Sequence, residues 1–249
     1  MMKAVFILTI TLFFSFPVFS REYFFKMDRF NFPAPKLESL YGPISLWATN
    51  YFLPEVKNGR TRTKGLIAFR DIDGNKLGPV VTHEEWCRSA MEGSVRVVFK
   101  KGRARTYNYF ADSDMNNVDC SRFYQINVSK SKFKLARGPF GDGVNNFQLN
   151  PFRTIATDPN VIPIGTVVFI PEARGVKIIF PNGERIVHDG YFFAGDIGGA
   201  IKENHIDVFS GISKKIDYFS WATSSENGMF DAFIITDQNI IDKLTQQHL

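Results

Sequence analysis

The chain has little of what metal or nucleophile chemistry is usually built from. Only two cysteines and four histidines occur in 249 residues. Neither cysteine has a partner two to four residues away, so zinc-ligand spacing is absent. A Ser/His/Asp nucleophile elbow and a Gly-rich phosphate loop are missing too, and no cofactor is implied. Beyond the N-terminus no stretch is long and apolar enough to cross a bilayer. The net charge of +5 is mild, and no basic stripe interleaved with aromatics marks a nucleic-acid partner. That balance still suits weak attraction to an anionic polymer. Internal repeats and low-complexity segments are also lacking.

At the N-terminus Lys3 precedes an apolar run from Ala4 to Phe14, and Val18-Phe19-Ser20 supplies small residues before Arg21. The run is shorter than the roughly 18 to 20 residues of a membrane span, and the pattern predicts a cleaved signal peptide over residues 1–20. The mature chain then begins near Arg21, and the protein is expected in the periplasm or secreted, with no stable membrane insertion. An uncleaved anchor is the competing reading. With no cysteine near the cleavage point, a lipid-modified N-terminus is not expected. Cleavage removes one charged residue, Lys3, which takes the net charge from +5 to +4. In an oxidising compartment the even pair Cys87 and Cys120 predicts a disulfide, with two buried free thiols as the alternative.

Apolar periodicity runs mostly at two, in short stretches punctuated by Gly or Pro: Ile44–Phe52, Gly93–Phe99, Thr166–Ile170, Val176–Phe180, Tyr191–Ala194, Ile206–Phe209 and Met229–Thr236. The chain is therefore expected to be mainly β. Asp73-Gly74, Lys101-Gly102 and Asn182-Gly183 read as turns, because these residues tolerate positive φ. One helix is well signalled. Thr82-His83-Glu84-Glu85 is a capping box, followed by an apolar face of Trp86, Ala90 and Met91. A weaker helix is expected near Ser213, and Thr236–Leu249 reads as either a short polar helix or a frayed tail. Residues 60–149 are richer in charge, Asn and Gly and hold both cysteines. They read as an inserted subdomain with one or two short helices, between segments 21–59 and 150–236, with 237–249 as the C-terminal tail.

Three stretches place an aspartate where structural economy does not obviously ask for one: Asp158 in DPNVIPIGT, Asp196 in AGDIGGAIK and Asp207 in HIDVF. On a strand Asp207 faces away from Ile206 and Val208 and presents a carboxyl where they bury methyls. Asp196 precedes Gly198-Gly199, which allows a turn that returns the chain and brings the two carboxyls together. Two carboxyls in a partly apolar pocket do not both ionise cheaply, so one is pushed up and becomes a proton donor. Each has a plainer reading: Asp158 before Pro159 as a turn residue, Asp196 as a turn cap, Asp207 as the solvent side of a strand. A calcium site is disfavoured, since the ligand spacing of a calcium loop is missing. His205 carries no catalytic weight at this stage, and Tyr107-Asn108-Tyr109-Phe110 is either a core strand or a platform for sugar rings.

These pieces, DPNVIPIGT, GDIGGAIKENHID and the upstream WATNYFLP from Trp47 to Pro54, resemble the 3D domain. That domain, named for its three aspartates, occurs in the MltA lytic murein transglycosylases and in small cell-wall enzymes. The resemblance covers residues 44–54 and roughly 150–236. It implies a six-stranded double-psi β-barrel assembled from discontinuous segments, and peptidoglycan glycan strands as the partner. It also implies cleavage between N-acetylmuramic acid and N-acetylglucosamine with closure of a 1,6-anhydro ring. By the same resemblance Asp207 is the catalytic acid and base, Asp196 the neighbour that tunes it and Asp158 the first of the three. Thr49, Tyr51, Gly199 and Lys202 are the substrate contacts. A non-catalytic wall-binding module and a hydrolytic muramidase are the rival readings.

Overall fold

The computed structural model describes residues 30–59, 64–180, 183–212 and 218–249. The expected signal peptide and the helix expected near Ser213 lie outside these residues. In chain order the strands are β1 (Leu40–Tyr51), β2 (Glu55–Lys57), β3 (Ile67–Arg70), β4 (Lys76–Val81), β5 (Ser94–Val98), β6 (Ala104–Asp112) and β7 (Ser131–Leu135). After them come β8 (Thr154–Ala156), β9 (Val167–Phe169), β10 (Lys177–Ile179), β11 (Arg185–Val187), β12 (Tyr191–Asp196), β13 (His205–Phe209) and β14 (Phe230–Ile235). Helix α1 (His83–Met91) lies between β4 and β5, and α2 (Gln238–Gln247) ends the chain.

Six strands close into a barrel in the order β1-β13-β8-β12-β9-β14. β1 runs parallel to β13 and β8 parallel to β12, while the other neighbours are antiparallel. The mainly β class and the six-stranded barrel from discontinuous segments are as expected. Period-two alternation explains how the barrel is filled. On β12, Phe192 and Ala194 join Val168, Ile155, Leu46, Ala48, Ile206 and Val208 in one buried cluster. The intervening Tyr191 and Phe193 belong to a second cluster with Val167, Phe169, Ile240 and Leu244. Helix α2 thus covers the other face of β9 and β12. It is not a frayed tail: the Asp237 carboxylate accepts from the Asn239 and Ile240 amides as its N-cap, and the fully buried His248 ring stacks on Phe193.

A buried ion pair anchors the starts of β8 and β12. Arg153 Nη1 and Nη2 donate to Asp189 Oδ1 and Oδ2 at 2.7 and 3.0 Å, and Phe30 lies against the guanidinium. Burial pushes the Asp189 carboxyl up, but Arg153 outweighs it and holds the group below its ordinary value.

The hairpin of β10 and β11 packs on the barrel cluster through Ile178 and Ile186, and the elements between β1 and β8 form a lobe. β2, β5, β6 and β7 make a four-stranded sheet, and β3 and β4 a hairpin. β2 lies in the stretch assigned by sequence to the barrel, yet it hydrogen-bonds in this sheet. Helix α1 begins at the Thr82 capping box, with both reciprocal bonds formed. Cys87 on α1 is disulfide-bonded to Cys120. Tyr107 is buried in the core of the lobe, whereas Tyr109 and Phe110 are exposed.

Candidate active site

β1 and β13 are paired so that Trp47, Thr49 and Tyr51 stand beside His205, Asp207 and Phe209. This is the parity opposite to Leu46, Ala48, Ile206 and Val208, so these six side chains project from the face turned away from the barrel core. Among the described residues no helix covers that face as α2 covers β9 and β12. Ala156 on β8 is the registered partner of Asp207 on one side and of Asp196 on the other. The two aspartates are therefore two strand spacings apart, about 10 Å between main chains, across a methyl group. Close backbone approach shapes the end of β12: a Cβ on Gly143 would stand 2.1 Å from the Gly195 carbonyl oxygen, so only glycine fits at 143.

Thr49 Oγ1 lies 2.8 Å from Asp207 Oδ1 and 2.8 Å from His205 Nε2. The His205 ring stacks on Trp47, with centroids 3.6 Å apart and planes 6° from parallel. Tyr51 reaches over the intervening strands to donate to Asp196 Oδ2 at 2.7 Å, and the Ile197 amide donates to Oδ1 at 2.9 Å. Both oxygens of Asp196 are thus held. Asp207 has Oδ1 engaged by Thr49, while Oδ2 has no hydrogen-bond partner among the described residues.

The electrostatics follow from burial. Asp207 is pushed up to about 7, first by burial and then by the charges of Glu92 and Asp196, against the opposing hydrogen bond from Thr49. Asp196 is pushed up to about 6 by burial, with the Tyr51 and Ile197 bonds pulling the other way. Tyr51 is raised by its own burial and by Asp196. His205 is lowered by burial, opposed by its bond to the Ala200 carbonyl and by the Glu226 charge. Near neutral pH the site therefore holds a carboxyl that keeps its proton in a substantial share of molecules, beside a hydroxyl that stabilises the carboxylate it leaves behind.

Asp158 does something else. Its Oδ1 accepts from the Asn160 amide and side chain, both at 3.0 Å, and its Oδ2 from the Glu203 amide at 2.9 Å. These backbone donors hold it below the ordinary carboxylate range. It pins the 197–204 loop to the turn after β8, and that loop returns the chain from Asp196 to Asp207. Lys202 and Gly199 are exposed on the same loop, and the Lys202 charge acts on Asp158. The structure thus brings together Thr49, Tyr51, Asp196 and Asp207, and sets Asp158, Lys202 and Gly199 on the connecting turns. The sequence reading gave Trp47 no role and His205 no catalytic weight, although their shared parity with Thr49 and Asp207 was a usable signal. Glu92, at the C-terminal cap of α1, had none. Its carboxyl is pushed up to about 7 by burial against the Arg88 charge.

Residues 153–223 match the 3D domain family. No curated protein matches the sequence. Among solved structures, Escherichia coli MltA with bound chitohexaose is similar in fold, with a TM-score of 0.52 and 14% identity over 77% of this chain and 72% of that one. A membrane-bound lytic murein transglycosylase from Agrobacterium tumefaciens aligns with a TM-score of 0.49 at 13% identity, over 80% and 76% of the two chains. The lytic transglycosylase LtgG of Burkholderia pseudomallei aligns with a TM-score of 0.43 at 18% identity, over 78% and 73%.

Proposed function

We propose that this chain is a peptidoglycan lytic transglycosylase that cleaves the β-1,4 bond between N-acetylmuramic acid and N-acetylglucosamine without water. One observation carries the reading: Asp207 is half-buried on a barrel face and pushed up to about 7, with one oxygen free of donors among the described residues. The 3D domain match and the fold shared with a chitohexaose-bound MltA support a glycan as the substrate.

In this reading protonated Asp207 gives its proton to the glycosidic oxygen as the bond to the muramyl C1 breaks. The muramyl C6 hydroxyl then attacks C1, and its proton passes to the Asp207 carboxylate, which restores the acid and closes the 1,6-anhydro ring. Thr49 donates to Oδ1 and stabilises the carboxylate while it exists. Asp196, fixed by Tyr51 and the Ile197 amide, contributes negative charge that keeps the proton on Asp207 until the substrate takes it. Asp158 acts through the loop it pins. Gly199 and Lys202, exposed on that loop, are proposed as contacts to the glycan, and Tyr51 and Thr49 as the floor beneath it.

Such a substrate lies outside the cytoplasm, in keeping with the signal peptide proposed for residues 1–20, and no helix among the described residues is long and apolar enough to cross a membrane. The test is mass spectrometry of soluble products after purified protein, and separately its Asp207→Asn variant, is incubated with peptidoglycan sacculi. Anhydromuramyl ends from the parent alone support the proposal. Reducing ends would make the protein a muramidase, and retained binding without products from either would make it a wall-binding module.

A further inference from the structure

Three polar groups on β1 and β13 form a chain that the reaction above uses only in part: His205, Thr49 and Asp207. The Thr49 hydroxyl has two neighbours at 2.8 Å, His205 Nε2 and Asp207 Oδ1, and only one hydrogen to give. The Ala200 backbone raises the proton affinity of the His205 ring, the effect of a carbonyl that accepts from a ring N–H. A neutral imidazole carries one N–H. With that hydrogen on Nδ1, Nε2 is an acceptor aimed at Thr49. The ring has little freedom to turn away, because it lies flat against Trp47 at 3.6 Å and is 8% exposed.

We infer that His205 is a positioning residue that competes with Asp207 for the Thr49 hydroxyl hydrogen and so favours the protonated form of the acid. In the acid state Thr49 donates to His205 Nε2, and the Asp207 carboxyl donates its own hydrogen to Thr49 Oγ1. When Asp207 ionises, the hydroxyl swings to donate to Oδ1, and the bond to Nε2 is lost. No atom is gained or lost in this switch beyond the proton Asp207 releases. Ionisation of Asp207 thus forfeits one buried hydrogen bond, and that loss raises the proton affinity of the carboxyl. Other groups act on the same pair. Glu226 bears on His205, while Asp196 and Glu92 bear on Asp207, and none of them reaches Thr49 by a hydrogen bond. This inference rests on the proposed role of Asp207 as an acid, but it concerns a proton equilibrium that exists without substrate.

It is tested on the purified full chain by carbon-13 NMR titration of the aspartate carboxyls, with the Asp207 signal assigned by its absence from Asp207→Asn. Two substitutions separate the chemistry from the packing. His205→Phe keeps a ring on Trp47 and removes both nitrogens, while His205→Gln keeps an acceptor and loses the ring. The expected result is an Asp207 midpoint lower by about one pH unit in His205→Phe, a tenfold loss in proton affinity, and close to the parent in His205→Gln. A midpoint unmoved in His205→Phe, or lowered only in His205→Gln, would overturn the inference. If either variant fails to fold, nitrogen-15 NMR of the parent imidazole decides the matter. Below the Asp207 midpoint, Nε2 is expected unprotonated with the hydrogen on Nδ1, and the Nε2–H tautomer would contradict it. Both readouts are independent of cleavage, so an inactive parent protein would sink the proposed function without touching this result.

Discussion

The barrel and the lobe are built from strands of similar length, yet they are held by different means. The barrel is closed, so it has no free edge, and its strands are filled on one face and, along β9 and β12, covered by α2 on the other. A buried charge pair, Arg153 with Asp189, ties the starts of two parallel strands. The lobe has an open four-stranded sheet whose edge strand β2 is three residues long, and a disulfide fastens α1 to the loop between β6 and β7. The carboxyls sit on the closed part. Holding Asp207 and Asp196 out of water costs stability, and that cost is borne where each buried apolar side chain contributes about 1.5 to 3 kcal/mol. Among the described residues of the lobe, Glu92 contributes a charge to the site.

The division of labour is open to experiment. Asp207→Asn should cut cleavage by about 10³-fold or more, since a general acid is worth about 10² to 10⁴, while circular dichroism shows barrel and lobe still folded. An active asparagine variant would move the chemistry elsewhere. Next in size, Arg153→Met leaves the Asp189 carboxylate buried without its partner. It should destabilise the barrel by about 3 to 5 kcal/mol, read as a fall in the urea midpoint. The paired change Cys87→Ser with Cys120→Ser opens a loop spanning 33 residues of sequence separation. It should cost about 3 to 4 kcal/mol, and hydrogen exchange should show the loss in α1 and β5 rather than in β12 or β13. Equal loosening of both regions would mean that barrel and lobe are held by the same means.

A smaller effect concerns Asp207 and pH. Its folded value of about 7 lies above its ordinary 3.8, so folding favours the protonated form. That contribution is complete below about pH 4 and is lost as pH rises through about 7. Asp207→Asn should therefore melt close to the parent at pH 4 and a few degrees higher at pH 8, for a gain of about 1 to 2 kcal/mol. A variant less stable than the parent at pH 8 would mean that the carboxylate is well solvated or well paired.

The sequence made the barrel more legible than the lobe, and for the same physical reason. β1, β9, β12, β13 and β14 carry apolar residues at period two, or unbroken apolar runs, because the barrel core or α2 covers them, and such runs stand out. β8 escaped notice because three residues between Arg153 and Thr157 are too few to show a period, although they supply the Ala156 that separates the two aspartates. In the lobe, β6 and β7 are half polar, and the ambiguity over Tyr107 to Phe110 resolved both ways: Tyr107 is core, while Tyr109 and Phe110 face solvent. Thr49, Tyr51, Asp196 and Asp207 could be expected together from their motifs. The Arg153 and Asp189 pair could not, since two charges 36 residues apart announce nothing until the strands they precede are paired. The terminal helix was ambiguous because its polar residues outnumber Ile240, Ile241 and Leu244, which seat it on the barrel together with His248 at its end.

In the proposed reaction Asp207 works as acid and then base with the sugar's own hydroxyl as the nucleophile. Digestion of sacculi in water enriched in oxygen-18 tests it most directly. Anhydromuramyl products without the heavy isotope, released by the parent and lost in Asp207→Asn, are the predicted result. Reducing ends carrying oxygen-18 would contradict the account, because water would then have attacked the anomeric carbon.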